Sequence, residues 1–177
     1  VVSHLEENML KSPEAPIVVL AKNTKYQLAE HVAPNMTTIG VMLPYSPLHY
    51  LLMKEADGRT LVMTSANVSG LPIAYKNEEC SQSIGDIADF YLMHNRDILH
   101  PVDDSVVQIV KGTTDFFRKS RGYVPDALFS KNNVDGIVAF GGQQKTTFTL
   151  GRNEQVFIGP HIGDLDNINT TEHYTNE

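Results

Sequence analysis

Residues 64–67 read Thr-Ser-Ala-Asn and carry the residue types best suited to holding a ligand. They follow a short apolar run, Leu61 to Met63, which the pattern predicts to be a buried strand. Small and hydroxyl-bearing side chains leave room for a ligand, and they offer hydrogen-bonding groups at the carboxyl end of a strand, where open α/β sheets place their sites. We expect this loop to bind a phosphate or a nucleotide.

The same residue types also occur in ordinary loops. Asn67 or Ser69 would serve equally well as a helix cap or as a side chain that satisfies the backbone of a turn. Residue chemistry alone leaves both interpretations open.

Length and composition bound the remaining choices. The chain has 177 residues and a net charge of -7, with an isoelectric point near 5.4. That length suits one ordinary domain, or one domain and part of another. The acidic balance argues against broad sequence-independent binding of nucleic acid, which requires a surplus of basic residues.

Cysteine content and hydropathy indicate a cytoplasmic protein. Cys80 is the single cysteine, so an intrachain disulfide and a cysteine-rich zinc site are both excluded. Apolar runs fall well short of the roughly 20 residues that a membrane helix needs.

Hydrophobic periodicity predicts alternating strands and helices. Helices are predicted over 3–11, 25–31 and 47–53 and from residue 76 onward. Strands are predicted over 17–20, 39–43, 61–63 and 105–110, and the last of these is followed by a returning hairpin strand over 114–118. Residues 87–93 are predicted to combine the end of a helix with a strand. An Asn-rich linker at 130–136 precedes three short β runs at 137–140, 146–150 and 155–158, which we interpret as a β-meander. Such a unit cannot bury both faces alone, so it must pack against something else.

Several sequence blocks together resemble one protein family. TSANVSGLPI resembles the TSANxSGxPI segment of YrdC-like proteins, and LVMTSANVSGLPIAYKNEE resembles its form in HypF, the hydrogenase-maturation carbamoyltransferase, which usually has Gly where Ala66 stands. Five further blocks occur in that family's order and spacing: PEAPIVVL, TIGVMLPYSPLHYLL, IADFYLMHNRDI, VDDSVV and RKSRGYVPDAL. AFGGQQKTTFTL and HIGDLDN are similar to the opening of the next HypF domain, an actin-like ATPase-type unit.

The resemblance implies a fold and a domain organisation. Residues 1–129 are expected to form the C-terminal two-thirds of a YrdC-like domain: an α/β fold with an open twisted mixed sheet and flanking helices, truncated at its N-terminus. Residues 130–136 are the linker, and residues 137–177 begin the actin-like domain as a C-terminal β-hairpin or meander unit. The family's Lys-Arg motif for ATP phosphates and its His-rich metal motif are not found in this sequence, so we expect a fragment that is incomplete or inactive alone.

The resemblance also implies a reaction. HypF proteins form carbamoyl-adenylate from carbamoyl phosphate and ATP and pass the carbamoyl group to HypE. Adenylation needs a nucleotide pocket, positive charge near the α-phosphate and a site poor in water. A side-chain nucleophile is not required, so we assign no catalytic residue.

Site residues carry over from the family's Ser-x-Asn motif. Ser65 and Asn67 match it, and Thr64 and Ala66 are expected to contribute backbone contacts. Ser105 is the expected second hydroxyl near the phosphates. Arg118 and Arg121 are the expected phosphate-binding cations, with Arg118 preferred, because a guanidinium can hold a phosphate through two parallel hydrogen bonds. The alternative is that both arginines form surface salt bridges.

The resemblance also implies a second nucleotide site at Gly141, Gly142 and Lys145. Glycines admit close backbone approach, and the lysine offers charge. His161 and Asp164 belong to the neighbouring block and are candidate members of this site. Without the resemblance, an ordinary Gly-Gly hairpin turn is the better interpretation.

Metal binding is not predicted. Asp103 and Asp104 suit Mg²⁺ chemically, but one acidic pair lacks a full set of oxygen ligands, so Mg²⁺ is expected only as a possible companion of ATP. His49, His94 and His100 do not form a recognisable ligand pattern.

Two alternatives to the enzyme fragment remain. One is a YrdC-like module that binds double-stranded RNA or nucleotide without catalysis, since Lys111, Arg118, Lys119 and Arg121 cluster on one hairpin. The other is a homo-oligomer that pairs through an exposed sheet edge.

Overall fold

The computed structural model of the chain describes residues 2–23, 25 and 28–176. The chain divides into two compact units. Unit 1 comprises Val1–Met63 and Asp104–Tyr123, and unit 2 comprises Thr64–Asp103 and Val124–Glu177. Each unit contains a four-stranded sheet.

Unit 1 is an α/β unit built on a mixed sheet. Its elements are α1 (His4–Leu10), β1 (Ile17–Ala21), β2 (Thr38–Val41), α2 (Pro47–Glu55), β3 (Val106–Val110) and β4 (Thr113–Arg118). The strand order is β2-β1-β3-β4, in which β1 and β3 are parallel and the other pairs are antiparallel. The predicted fold class, a mixed α/β sheet with flanking helices, is therefore confirmed.

The core of unit 1 lies where the two parallel strands meet. Val18 and Val107 are opposite each other in the register and are fully buried. Leu20 joins them, and Met9 and Leu10 of α1 pack against this cluster. β-branched side chains favour the pleated backbone, so the same residues specify the strands and fill the core.

Local signals define α1 and the β3–β4 hairpin. Ser3 and Glu6 form a reciprocal capping box at the start of α1. Lys111 and Gly112 both have positive φ, at 51° and 83°, which is the backbone of a two-residue type I′ hairpin turn. The predicted helix and hairpin are confirmed.

The next helices also follow the sequence. α2 has Pro47 in its first turn, and the Ser46 hydroxyl accepts a hydrogen bond from the His49 backbone N–H at 3.1 Å. α3 of unit 2 (Asn77–Ile84) begins where the Lys-Asn-Glu-Glu segment predicts it. Within the described residues, every helix is too short or too polar to cross a membrane.

Unit 2 contains the predicted β-meander. Its sheet comprises β5 (Leu128–Phe129), β6 (Val138–Phe140), β7 (Phe148–Arg152) and β8 (Gln155–Ile158) in the order β5-β8-β7-β6, and α4 (Ile168–Asn176) follows. All neighbouring strands are antiparallel. β5 lies before the predicted linker and pairs with the last strand of the meander.

Three predicted elements are wrong or fall partly outside the described chain. The apolar run 61–63 is not a strand, and it is exposed, with Val62 at 73%. Residues 87–93 form no strand either, and Phe90 is 94% exposed. The described residues of the predicted helix 25–31 are not helical, and residues 26 and 27 of that prediction lie outside the described chain. Runs 61–63 and 87–93 lack a paired neighbour strand in the described structure, so apolar composition alone does not make them strands.

Two alanine substitutions, at Val18 and at Val62, compare the stability contribution of the buried strand with that of the exposed run. We expect Val18→Ala to lower the free energy of unfolding by about 2 kcal/mol, because it leaves a cavity in the core. Val62→Ala is the matched control and should change it by less than about 0.5 kcal/mol. Urea denaturation followed by circular dichroism measures both, and equal losses would contradict the exposed position of Val62.

Candidate nucleotide site

The Ser-x-Asn loop of unit 2 is organised by one amide side chain. Asn67 Nδ2 donates hydrogen bonds to the carbonyl oxygens of Val68 at 3.1 Å and Leu71 at 2.8 Å. The Ser65 hydroxyl donates to Asn67 Oδ1 at 2.5 Å. The loop closes further on where the Ala74 N–H donates to the Ala66 carbonyl at 2.8 Å. Both amide protons of Asn67 are thus committed to shaping the loop.

The surface of this loop remains polar and accessible. Thr64, Ser65 and Ala66 are exposed, and Asn67 is half-buried. Ser65 keeps acceptor capacity on its oxygen after donating to Asn67. The loop therefore offers hydroxyl and backbone groups to a ligand, although it does not follow the strand that the sequence predicts.

A different cluster in unit 1 contains Ser105, Asp104 and Arg121. It lies where β3 begins and β4 has ended. The Ser105 side chain is fully buried; its hydroxyl accepts from the Ser120 N–H at 2.8 Å and donates to the Arg121 carbonyl at 2.9 Å. Ser105 thus ties the start of β3 to the segment after β4. Its predicted phosphate contact stays a prediction.

Arg121 uses most of its donors inside unit 1. Its Nε and Nη2 donate to Asp104 Oδ1 at 3.0 and 2.8 Å. Nη1 donates to the Glu14 carbonyl at 3.1 Å, and Nη2 also donates to the Ala15 carbonyl at 2.8 Å. A guanidinium has five N–H groups, so four are engaged and one remains. Two parallel bonds to a phosphate would require Arg121 to give up a present partner.

Tyr45 completes this cluster, and the sequence analysis did not identify it. The Arg121 guanidinium lies 3.7 Å from the centre of the Tyr45 ring, and the His49 ring meets the same ring edge-on at 4.5 Å. Burial raises the pKa of the Tyr45 phenol, and the negative charge of Asp104 adds to the rise, while Arg121 opposes it. The sequence offered one signal for this position, an aromatic residue between Pro44 and Pro47. It gave no sign of the contact with Arg121, because that residue is 76 positions away along the chain.

Glycine at position 122 lets the chain pass close to the turn before β1. Gly122 has φ of 84°, and a Cβ there would lie 2.7 Å from both Cα and O of Glu14. A side chain is therefore excluded by both conformation and contact.

Arg118 ends β4, opposite Val106 in the register, and is half-buried. A register shift occurs there between Val106 and Val107. Lys119, the next residue, places its ammonium 5.9 Å from the centre of the Phe116 ring. The predicted role of Arg118 as the preferred phosphate ligand stays a prediction.

The second candidate loop, in unit 2, faces the HIGDLDN segment. The Lys145 N–H donates to Asp164 Oδ1 at 2.6 Å, and the Thr146 N–H donates to the Gly163 carbonyl at 2.8 Å. A Cβ on Gly141 would lie 2.8 Å from the Thr147 carbonyl oxygen, whereas a Cβ on Gly142 would have no atom within 4 Å. Gly141, Gly142, Lys145 and Asp164 therefore belong to one loop pair, in which the Asp164 carboxylate accepts from the backbone N–H of Lys145.

One buried hydroxyl in this loop pair has no assigned partner. Thr146 is 1% exposed, and its Oγ1 makes no hydrogen bond to the described part of the chain. A buried unpaired hydroxyl costs free energy unless water or a ligand satisfies it.

The acidic pair does not converge on one point. Asp104 pairs with Arg121, whereas Asp103 Oδ2 lies 4.0 Å from Nε2 of His161, a half-buried residue of unit 2. Among the described residues, groups of three or more His, Cys, Asp or Glu that could hold a metal are not found. The His94 Nδ1 accepts from the Arg96 N–H at 3.2 Å. These contacts do not provide an Mg²⁺ ligand set.

Comparison with known proteins gives two family matches. Residues 1–120 match the model of the Sua5, YciO and YrdC proteins, described as "Telomere recombination". Residues 132–177 match the model described as "HypF Kae1-like domain".

Full-length relatives and solved structures agree. The chain is 39% identical over 173 residues to "Carbamoyltransferase HypF" of Synechocystis, covering 97% of this chain and 22% of that protein. It matches the crystal structure of full-length HypF in a phosphate- and nucleotide-bound form with a TM-score of 0.90 and 42% identity, covering 99% of this chain and 28% of that one. For T. kodakarensis HypF the TM-score is 0.93 at 37% identity, with 98% and 23% covered. The chain thus spans between 22% and 28% of the length of these relatives.

A double-mutant cycle tests the Arg121 cluster. We expect Arg121→Lys to lower the free energy of unfolding by about 2 kcal/mol, because lysine cannot reproduce the forked contacts to Asp104 and two carbonyls. Asp104→Asn should cost less in the Arg121→Lys background than alone. Strictly additive losses in urea denaturation would show that the two side chains do not interact.

Alkaline stability tests the environment of Tyr45. Because the pKa of Tyr45 is raised in the folded protein, folding favours the neutral phenol. The contribution of this phenol to the free energy of unfolding is therefore fully present below the pKa of the unfolded chain, near 10, and is lost as the pH rises through the pKa of the folded protein. Tyr45→Phe should reduce the fall in stability above about pH 10. Tyr123→Phe is a comparison variant, since burial also raises the pKa of Tyr123. Identical alkaline profiles for wild type and Tyr45→Phe would contradict this environment.

Proposed function

The chain belongs to the YrdC-like family and is of the HypF type, and on that premise we propose that it carries part of the nucleotide-binding surface of a carbamoyltransferase. Identity of about 40% over nearly the whole chain, to proteins named carbamoyltransferase HypF, is the observation that carries the proposal. The two family matches support a division into a YrdC-like part, a linker at 130–136 and the start of an actin-like domain.

ATP is the proposed ligand of the Ser-x-Asn loop. A relative solved in a nucleotide-bound form supports this choice. Asn67 fixes the loop through its own hydrogen bonds, so the exposed hydroxyl of Ser65 and the backbone of Thr64 and Ala66 are presented in one arrangement. Such preorganisation lowers the ordering cost of binding.

Arg118 is the proposed cation for the α-phosphate. Arg121 is less suited, because Asp104 and two carbonyls occupy four of its five N–H groups. Arg121 and Ser105 instead hold the segment that follows β4, and thereby fix where Arg118 leaves the sheet.

The proposed chemistry is formation of carbamoyl-adenylate from carbamoyl phosphate and ATP, followed by transfer of the carbamoyl group to HypE in hydrogenase maturation. Positive charge stabilises the rearranging phosphate, and exclusion of water protects the mixed anhydride. This chain spans 22% of the Synechocystis protein, and the whole cycle is proposed for a polypeptide of that relative's full length. Mg²⁺ would arrive with ATP; the acidic pair, engaged with Arg121 and His161, does not fit a resident ion.

Binding of double-stranded RNA is not favoured. Of the basic hairpin residues, Arg121 is engaged by Asp104, Lys119 lies over a phenylalanine ring, and the net charge is -7. A phosphate backbone requires several available cations together.

Calorimetry with ATP and Mg²⁺ tests the proposal. We expect weak binding, with a dissociation constant of about 1 mM, because the donors of Ser105 and Arg121 are engaged and the backbone N–H of Lys145 is already bonded to Asp164. Ser65→Ala should weaken binding further, and Ser69→Ala, an exposed serine in the same loop, should not. If Lys145→Ala abolishes binding and Ser65→Ala does not, the second loop is the site. Micromolar affinity would contradict the expectation of weak binding.

A further inference from the structure

The Tyr45 ring of unit 1 is held on one face and along one edge. The Arg121 guanidinium lies 3.7 Å from the ring centre, which is the shortest of the described contacts between a cation and a ring. The His49 ring meets Tyr45 edge-on, with 4.5 Å between the centroids and 80° between the planes. Tyr45 is nevertheless 42% exposed. Since one face and one edge are occupied, the exposed part includes the second face of the ring.

The backbone around Tyr45 keeps this ring in a defined place. Ser46, the next residue, is extended and caps α2, and its hydroxyl accepts from the His49 N–H at 3.1 Å. Pro47 fixes the first turn of the same helix. The Tyr45 and His49 rings are thus anchored to one helix start. A ring that is immobilised in advance loses little further conformational entropy when a ligand stacks on it.

Oxygen acceptors lie beside the ring. Burial, and then the nearby charge of Asp104, raise the pKa of the Tyr45 phenol, which places the carboxylate near the hydroxyl edge. Both bonds from the Arg121 side chain end on Oδ1 of Asp104, so Oδ2 keeps its acceptor capacity. The Asp104 side chain is 31% exposed. A planar ligand on the ring would therefore meet acceptors at its edge, and these suit an exocyclic amino group.

We propose that the second face of Tyr45 is the stacking site for the base of a mononucleotide, and that it prefers a base with an exocyclic amino group, such as adenine. Every nucleobase has a π-face that stacks on an aromatic ring. The net charge of -7 favours a mononucleotide over a polynucleotide, which needs many cations. The choice of a nucleotide rests on the proposed function, whereas the assignment of the base to Tyr45 does not use the Ser-x-Asn loop.

Saturation-transfer NMR with adenosine tests this assignment, because the method detects weak binding and identifies the ligand protons nearest the protein. We expect the strongest transfer at the ring protons of adenine. Tyr45→Leu should weaken binding at least about fivefold, because leucine lacks the π-face on which a base stacks. Tyr45→Phe keeps the ring, and Tyr50→Leu removes a more exposed tyrosine of α2, so both should stay within about twofold.

Inosine is the matched ligand, since an oxygen replaces the amino group of adenosine. It should bind at least about threefold more weakly, because that oxygen cannot donate to the acceptors beside Tyr45. Circular dichroism verifies the folding of each variant. If Tyr45→Leu does not fold, nuclear Overhauser contacts between adenosine and the wild-type tyrosine rings, assigned with Tyr45→Phe, take its place.

The proposal is overturned if wild type gives no transfer to adenosine, if Tyr45→Leu binds as well as wild type, if the Overhauser contacts avoid Tyr45, or if inosine binds as tightly as adenosine. Adenosine has no phosphate, so this outcome is separate from that of the proposed function. ATP binding that Ser65→Ala weakens, with adenosine indifferent to Tyr45, would leave the proposed function standing and remove this assignment. Tyr45-dependent binding of adenosine with no gain for ATP would do the reverse.

Discussion

The arrangement of the segments of unit 1 depends on the contacts of the Arg121 guanidinium. This guanidinium joins the turn before β1, the start of β3 and the aromatic ring that follows β2, three places far apart in sequence. The parallel strands alone bury a small core of Val18, Leu20 and Val107. With so little buried apolar area, charge-assisted hydrogen bonds contribute a larger share of the specificity than they do in a large domain.

This arrangement changes how the candidate nucleotide residues are understood. Ser105 and Arg121 bind the protein's own backbone, and in doing so they fix the segment between β4 and Tyr123. Asn67 does the same within its loop. Residue types that suit a phosphate also suit a carbonyl or a neighbouring amide, so the two roles are distinguished by available donors. By that criterion Ser105 and Arg121 are the poorer candidates for direct contact with a phosphate.

The sequence predicted those elements whose signals are local. The capping box of α1, Pro47 at the start of α2, the Lys111–Gly112 turn and the β-meander all depend on neighbouring residues. It failed for 61–63 and 87–93, because an apolar run becomes a strand only when another strand pairs with it. Tyr45 was missed for a related reason, since its contact with Arg121 is long-range. The loop of the candidate site was recognised by its motif, but its position at a strand end was not correct.

Gly122 has a consequence for how this region can vary. Its positive φ and the approach of Glu14 leave no space for a Cβ, so any other residue would push the chain away from the turn before β1. The carbonyls of Glu14 and Ala15 would then move beyond reach of the preceding arginine. Positions 121 and 122 are thus linked through the backbone: natural variants that lose the glycine should also have released the arginine, and the two residues should be gained or lost together.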